Sequence, residues 1–276
     1  MPRIHYIVSA SIITSASWMI HKTETSDEVS NLYKNMFKYG EVDSGKKIRY
    51  YDNFCLSYNQ QTRTPSWVSE HLNLKGIKQK KRKVTRSNFT KDPEIKDMFL
   101  GSDFDYSNSG WSRGHMAAAS NSKMDKQSLK STFCYTNIVP QDFENNSQIW
   151  NKLEKYCNSL ARKYKNVRLV TGPLWLPTCK DENGQSFVKY QVIGENNIHV
   201  PTHLFKVILA ENESKNEDHD LIIGAFVIPN IPLNGKDFKL YEERLERLEE
   251  ISGLKFFPNA NKNRFKNLCS VETCKF

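Results

Sequence analysis

Arg113, Gly114 and His115 stand side by side in GWSRGHMAAAS, residues 110–120. A histidine titrates near pH 6.5, which suits a proton acceptor working near neutrality, and His115 is the sole histidine between His71 and His199. In an extended stretch, residues two apart project to the same side. That would set the Arg113 guanidinium beside the imidazole, where it meets a phosphate well, while Gly114 would let a substrate backbone approach closely. Phosphodiester hydrolysis asks for a base to activate water, a cation to neutralise phosphoryl charge and a metal to steady the leaving oxygen. Residues 112–154 hold side chains for each task. The plainer account makes Arg113 a surface ion-pair partner and His115 a core histidine, and three residues alone do not separate the two.

Such residues need a frame. The block from Asp103 to Pro140 is rich in Gly, Ser and Asn and short of apolar runs, as expected of an irregular segment that builds a site. It leads into SQIWNKLEKYCNSLARKY, residues 147–164, where Ile149, Leu153, Tyr156, Cys157, Leu160 and Tyr164 recur at helical spacing and define a core-facing stripe. Upstream, NFCLSYNQQTRTPSWVSEHL reads as a hairpin, with strands around Phe54–Tyr58 and Trp67–His71 and a polar turn containing Pro65 between them. Downstream, VRLVTGPLW from 167, FVKYQVIG from 187, HLFKVILA from 203 and LIIGAFVIP from 221 are β-branched runs separated by turns, which predicts a largely antiparallel sheet. KLYEERLERLEEISG closes the core as an amphipathic helix, with Leu245, Leu248 and Ile251 inward and Gly253 at its C-cap. The expected fold is α+β, with helices packed on a central, mainly antiparallel sheet.

The 276 residues are enough for one sizeable core, and 38% hydrophobic with 12% aromatic content excludes a disordered chain. Forty Lys and Arg against 31 Asp and Glu give a formal charge of +9, the balance of a protein that meets polyanions. Seven basic and no acidic residues crowd into KGIKQKKRKVTR, residues 75–86. That run reads as a phosphate contact or as a solvated loop. Six cysteines without a CxxC pair exclude a disulfide scaffold and give no sign of structural zinc. They read as mostly buried thiols, with Cys269 and Cys274 able to pair.

The N-terminus differs from the rest. IHYIVSASIITSASWMI, residues 4–20, carries no formal charge and reads as a short membrane anchor or a targeting segment, at the low edge of the ~20 apolar residues of a usual span. A cleaved signal peptide is the alternative, with Ser15, Ala16 and Ser17 as small residues for cleavage, and a core helix comes third. The expected organisation is an anchor or targeting segment over 1–22, a linker over 23–49, a catalytic domain over 50–258 and a short extension over 259–276.

The long segment SGWSRGHMAAASNSKMDKQSLKSTFCYTNIVPQDFENNSQIWNKLEKYC resembles the active-site region of the DNA/RNA non-specific endonucleases, the ββα-metal nucleases. Within that family SRGH, TNIVPQDFENNSQIWN and the late NLCSVETCKF resemble the mitochondrial endonuclease G branch and its exo/endonuclease G-like sister. The resemblance runs from about Tyr51 to the C-terminus. It implies His115 as general base, Arg113 as the cation at the phosphoryl group, Asn137 as an orienting asparagine, Asn146 as the sole direct protein ligand of Mg²⁺, and Glu154 as the carboxylate holding the metal's waters. Mn²⁺ is the expected substitute. Asn146 is chosen over Asn145 on its spacing to Trp150, Asn145 being suited to a helix cap. If the helix starts near Asn146, Glu154 lies about 80° around it, so both reach one metal shell.

A further substrate-binding arginine is expected five residues before the aromatic of F-x-x-D-P. Counting back from Phe89 in NFTKDP gives Val84, leaving Arg82, Arg86 or the basic run collectively as candidates. Ser112 stands where the wider family carries Asp. The resemblance also implies DNA and RNA as substrates, 5′-phosphate products, a homodimer and the mitochondrial inner membrane. A secreted or lysosomal nuclease, or an inactive nucleic-acid-binding protein, are the alternatives. The exo/endonuclease relatives continue past CSVETCKF into a helical extension tied to exonuclease action, so the choice between strand ends and internal bonds stays open.

Overall fold

A computed structural model describes residues 33–42, 48–73, 87–122, 126–212, 220–233 and 237–275. The N-terminal segment 4–20 and the basic run 75–86, with Arg82, Val84 and Arg86, lie outside them. The main sheet has eight strands. They are β1 (Ile48–Tyr50), β2 (Phe54–Asn59), β3 (Thr64–Asn73), β6 (Asn166–Leu174), β11 (His203–Asn212), β12 (Asp220–Pro229) and β13 (Glu242–Glu243) in spatial order, with β14 (Phe265–Asn267) also against β12. Every pairing is antiparallel except β12 with β14. The α+β architecture expected from the sequence is the one observed.

β11 shows why this sheet forms. Successive side chains of a strand face opposite sides, and in HLFKVILAEN both sides are apolar. Leu204, Ile208 and Ala210 join one core, packed with Trp150, Leu153 and Leu160 of the long helix. Phe205, Val207 and Leu209 join a second core with Leu248, Phe256 and Met36. A central strand covered on both faces reads as a continuous apolar run, and its two charges, Lys206 on the first face and Glu211 on the second, are both buried.

The expected hairpin is β2–β3, with a register shift at Ser57/Tyr58. The predicted helical stripe is also present, since Ile149, Leu153, Tyr156, Cys157, Leu160 and Tyr164 are all buried. The segment from Phe187 does not join the sheet as expected. Ser186–Phe187 (β8) pairs with Cys179–Lys180 (β7), and Val192–Ile193 (β9) with Ile198–His199 (β10), as two short ribbons. Val188, Tyr190 and Val192 are exposed, so the run has β-propensity but no face against a core. The last amphipathic helix is shorter than expected, Leu245–Ser252, and Gly253 closes it at φ +68° in the left-handed region.

Both ends of the expected domain extend further. Met36 and Val42, inside the expected linker, are buried, and Lys38 pairs with Glu211 at 2.7 Å. At the other end Leu268 and Cys274 are buried, and Cys269 and Cys274 are joined by a disulfide. Among the described residues no helix is long and apolar enough to cross a membrane.

Candidate active site

A second, two-stranded unit stands beside the sheet. β4 (Ser112–His115) runs antiparallel to β5 (Ile138–Gln141), with Arg113 opposite Pro140 and His115 opposite Ile138. The chain leaves β5 directly into a helix that starts at Phe143, passes through a π-turn at Asn146–Trp150 and continues as Asn151–Tyr164. Strand, strand and helix make one motif, with the short helix Lys126–Thr132 in the connection between the two strands. The first turn is capped by Asp142, whose Oδ1 accepts from the Asn145 backbone N–H at 2.8 Å.

The helix therefore begins three residues before Asn146. The π-turn also sits between Asn146 and Glu154, so the 80° separation calculated for a regular helix does not apply. Asn145 is not the cap either. It is buried, its Oδ1 accepts from Gln141 Nε2 at 2.9 Å and its Nδ2 donates to the Pro229 carbonyl at 2.8 Å, which ties the motif to the end of β12. Asn146 is the free one. Its Nδ2 donates to Ser112 Oγ at 3.0 Å, and its Oδ1 has no hydrogen-bond partner among the described residues.

His115 lies against Phe133, with ring centroids 4.8 Å apart, and Phe89 at 5.7 Å. Its Nε2 is buried without a hydrogen-bond partner. Burial in this aromatic setting pulls its pKa down to about 4, because the charged imidazolium loses its solvation. It is therefore neutral at pH 7, the form that accepts a proton.

Arg113 lies on the same strand, its guanidinium 4.7 Å from the Phe89 ring centroid and 5.9 Å from that of Tyr106. It forms an ion pair with Asp103, which also accepts from Tyr135 Oη at 2.7 Å. Phe89 is held under both side chains by the loop it begins. Asp92 in that loop takes two hydrogen bonds from Arg49, at 2.6 and 2.7 Å, and one from Tyr51.

Gly114 has another reason than the one read from sequence. A Cβ there would stand 2.7 Å from Gln141 Cβ on the paired strand, so the missing side chain lets β4 and β5 close rather than admitting substrate. Asn137 is fully buried. It accepts from the Ala117 N–H at 2.8 Å and donates to the carbonyls of Ala117 and Thr132, pinning the chain just past His115.

Glu154 stands further along the helix, and its carboxylate takes no hydrogen bond among the described residues. Burial lifts its pKa to about 7, with Lys206 opposing the shift and Glu70 adding to it. Glu70 is buried too, its pKa raised by burial against Lys206, with Oε1 accepting from Asn121 at 2.9 Å and Oε2 unpartnered. Lys206 Nζ donates to Thr171 Oγ1 at 2.7 Å and lies 4.9 Å from the Trp150 ring centroid. This buried charge group was missed in the sequence, although a signal was there. Val68 and Leu72 of β3 and Leu204 and Ile208 of β11 face the first core, so Glu70 and Lys206 occupy inward positions.

The oxygens left open suit a hard divalent cation. An amide oxygen aimed by Ser112, and a carboxylate further along the same helix whose raised pKa favours neutralisation by a cation, match an ion that keeps most of its waters. Asn146 would hold it directly and Glu154 through those waters.

A strand carrying Arg and His, a returning strand and a helix carrying an open amide oxygen together define a nuclease of the ββα-metal class. The chain matches the DNA/RNA non-specific endonuclease family over residues 30–263, and it belongs to that family of hydrolytic nucleases. It is 42% identical over 249 residues to the zebrafish (Danio rerio) protein named mitochondrial nuclease EXOG, covering 89% of this chain and 71% of that protein. Against its human namesake the identity is 43% over 241 residues, covering 86% and 64% respectively. The human mitochondrial endonuclease G is 35% identical over 226 residues, covering 80% and 73%. The chain thus spans about two-thirds of the length of the EXOG proteins. Among solved structures, the complex of EndoG with EndoGI matches with a TM-score of 0.79 at 34% identity, covering 86% of this chain and 95% of that one.

Proposed function

We propose that the protein is a Mg²⁺-dependent nuclease that hydrolyses phosphodiester bonds of DNA and RNA to 5′-phosphate and 3′-hydroxyl ends, acting on internal bonds, on 5′ ends or on both. The observation that carries this reading is a neutral His115 and the cation of Arg113 on one strand, to whose first residue, Ser112, Asn146 is tied with its Oδ1 open. Neutral His115 takes a proton from the water that attacks phosphorus. Arg113 is placed to neutralise charge on the phosphoryl oxygens as the bond to the 3′-oxygen breaks, and the departing oxygen ends as a hydroxyl after taking a proton from solvent. A bound divalent cation supplies Lewis-acid neutralisation of charge on phosphoryl and leaving oxygens. Asn137 holds the chain behind His115, and Phe89 and Phe133 keep water from crowding the ring.

The mitochondrial names of the relatives support a mitochondrial location for this chain, with residues 4–20 as the anchor or targeting segment. A homodimer and inner-membrane attachment belong to the same reading. The test incubates purified protein with closed circular DNA, and with single strands labelled at the 5′ end, in Mg²⁺. We expect cleavage that stops with chelator and falls by about 10²–10⁴ in His115→Ala, the range of a lost general base. Undiminished cleavage by His115→Ala sinks the mechanism. Cut circles mark internal action, and products released only from free 5′ ends mark exonuclease action.

A further inference from the structure

Next to the Arg113–Asp103 pair opens a cleft of about 550 Å³ whose apolar wall is Phe89, Met98, Phe104 and Tyr135. Phe104 is 91% exposed and Met98 is 64% exposed, two large apolar side chains presented to water at one rim. Phe104 follows directly on Asp103, the partner of Arg113, in the one-turn helix Asp103–Tyr106. That turn is fixed from below. Asp105 accepts from the backbone N–H and the hydroxyl of Ser102 at 2.8 and 2.7 Å and from the Asn196 side chain at 2.8 Å, and Tyr106 is buried.

Resting on the nuclease reading above, we propose that this cleft receives the nucleobase adjoining the phosphate held by Arg113, with Phe104 as the surface on which the base stacks. Two features argue for that occupant. Phe89 lies under the Arg113 guanidinium and also lines the cleft, and Asp103 both pairs with Arg113 and lines it, so phosphate site and cleft are continuous. Most of the polar side chains around the cleft already hydrogen-bond one another. Lys91 is bonded to Asp97, while Ser102 and Asn196 are bonded to Asp105. What remains is π-surface, which any base satisfies and which reads no sequence. The cleft therefore adds affinity for unpaired nucleotides without base preference.

The test uses two dinucleotides of thymine and 2-aminopurine, one in each order, so that the single phosphate fixes the register. The full-length chain carrying His115→Ala holds them uncut. We expect quenching of 2-aminopurine fluorescence in at least one order, and loss of that quenching with about tenfold weaker binding when Phe104→Ala is added, stacking on one aromatic being of that size. Exposed Leu240, changed to Ala in the same background, is the control for a surface apolar loss and leaves binding unaltered. Phe104→Ala in the otherwise unmodified chain raises KM for single-stranded DNA by a similar factor. Equal binding and equal quenching with and without Phe104 in the His115→Ala background, while Phe104→Ala alone cleaves DNA with unchanged KM, overturn the cleft. Failure of the unmodified chain to cleave any nucleic acid overturns the nuclease reading, and the cleft with it.

Discussion

Asn146 donates its amide N–H to Ser112 Oγ at 3.0 Å, and Ser112 in turn donates to the Gln141 carbonyl at 2.7 Å. The relay fixes which way the amide points, since a nitrogen engaged with Ser112 turns Oδ1 outward. The hydroxyl oxygen of Ser112 is the acceptor that this amide uses. Ser112→Ala removes that acceptor without touching a proposed ligand. Outer partners that orient a metal ligand are typically worth 10–100-fold in affinity. We expect Mn²⁺ affinity, followed by electron paramagnetic resonance, to fall by about tenfold or more, with melting temperature within a few degrees of the parent. Unchanged Mn²⁺ affinity in folded protein removes Asn146 from the metal.

Lys206 is a buried ammonium whose charge acts on the buried Glu70 and the half-buried Glu154, and it packs on Trp150. Lys206→Met keeps the volume but removes the positive charge that opposes the repulsion between Glu70 and Glu154. The charges are not in direct contact, so the loss should be smaller than the about 3–5 kcal/mol of a broken buried ion pair. Adding Glu70→Gln should restore much of that loss, because it removes one of the repelling charges. Chemical denaturation of the single and double variants checks this, and a double variant no more stable than Lys206→Met alone contradicts it.

The sheet was legible because its strands are apolar on one or both faces, and the long helix because its stripe keeps a helical period. β4 and β5 were not, since each is four residues long and one of them contains Gly114. The ribbons around Val188 and Tyr190 misled for the opposite reason, having strand composition without a core to face. Within the site, the order of residues from Arg113 to Glu154 was readable from motif resemblance. The π-turn, the Ser112 relay and the Asp103 partner of Arg113 depend on contacts between segments far apart in sequence or on local helix winding, which spacing alone does not encode.

The acid limb of activity should depend on metal concentration. In the free protein the Glu154 carboxyl is lifted to about 7 by burial, while His115 is lowered to about 4. At limiting Mg²⁺, lowering the pH through 7 protonates Glu154 and weakens the metal site, so kcat/KM falls there. Saturating Mg²⁺ holds Glu154 ionised and moves the limb down toward the value set by His115. The linked stability effect has a definite sign. A carboxyl raised from 4.5 to about 7 contributes stability that is fully present below 4.5 and is lost as pH rises through 7. Mg²⁺ should therefore raise the melting temperature more at pH 8 than at pH 6. An acid limb fixed at one pH regardless of Mg²⁺ would falsify the role given to Glu154.

Asp103 competes with substrate for Arg113. Its carboxylate occupies the guanidinium in the free protein, and the side chain is 63% exposed, so the pair is partly screened by water. Such exposed pairs are worth up to about 1 kcal/mol, which bounds the gain from removing the charge at about fivefold. Asp103→Asn keeps an oxygen for the Tyr135 hydroxyl but no longer holds a charge against the incoming phosphate. KM for DNA should fall by about two- to fivefold at low salt, and the difference should shrink as added salt screens the exposed charge. A fall in kcat with KM unchanged would instead make Asp103 the residue that aims Arg113 at the phosphoryl group, and the salt series distinguishes the two because only competition for charge fades with ionic strength.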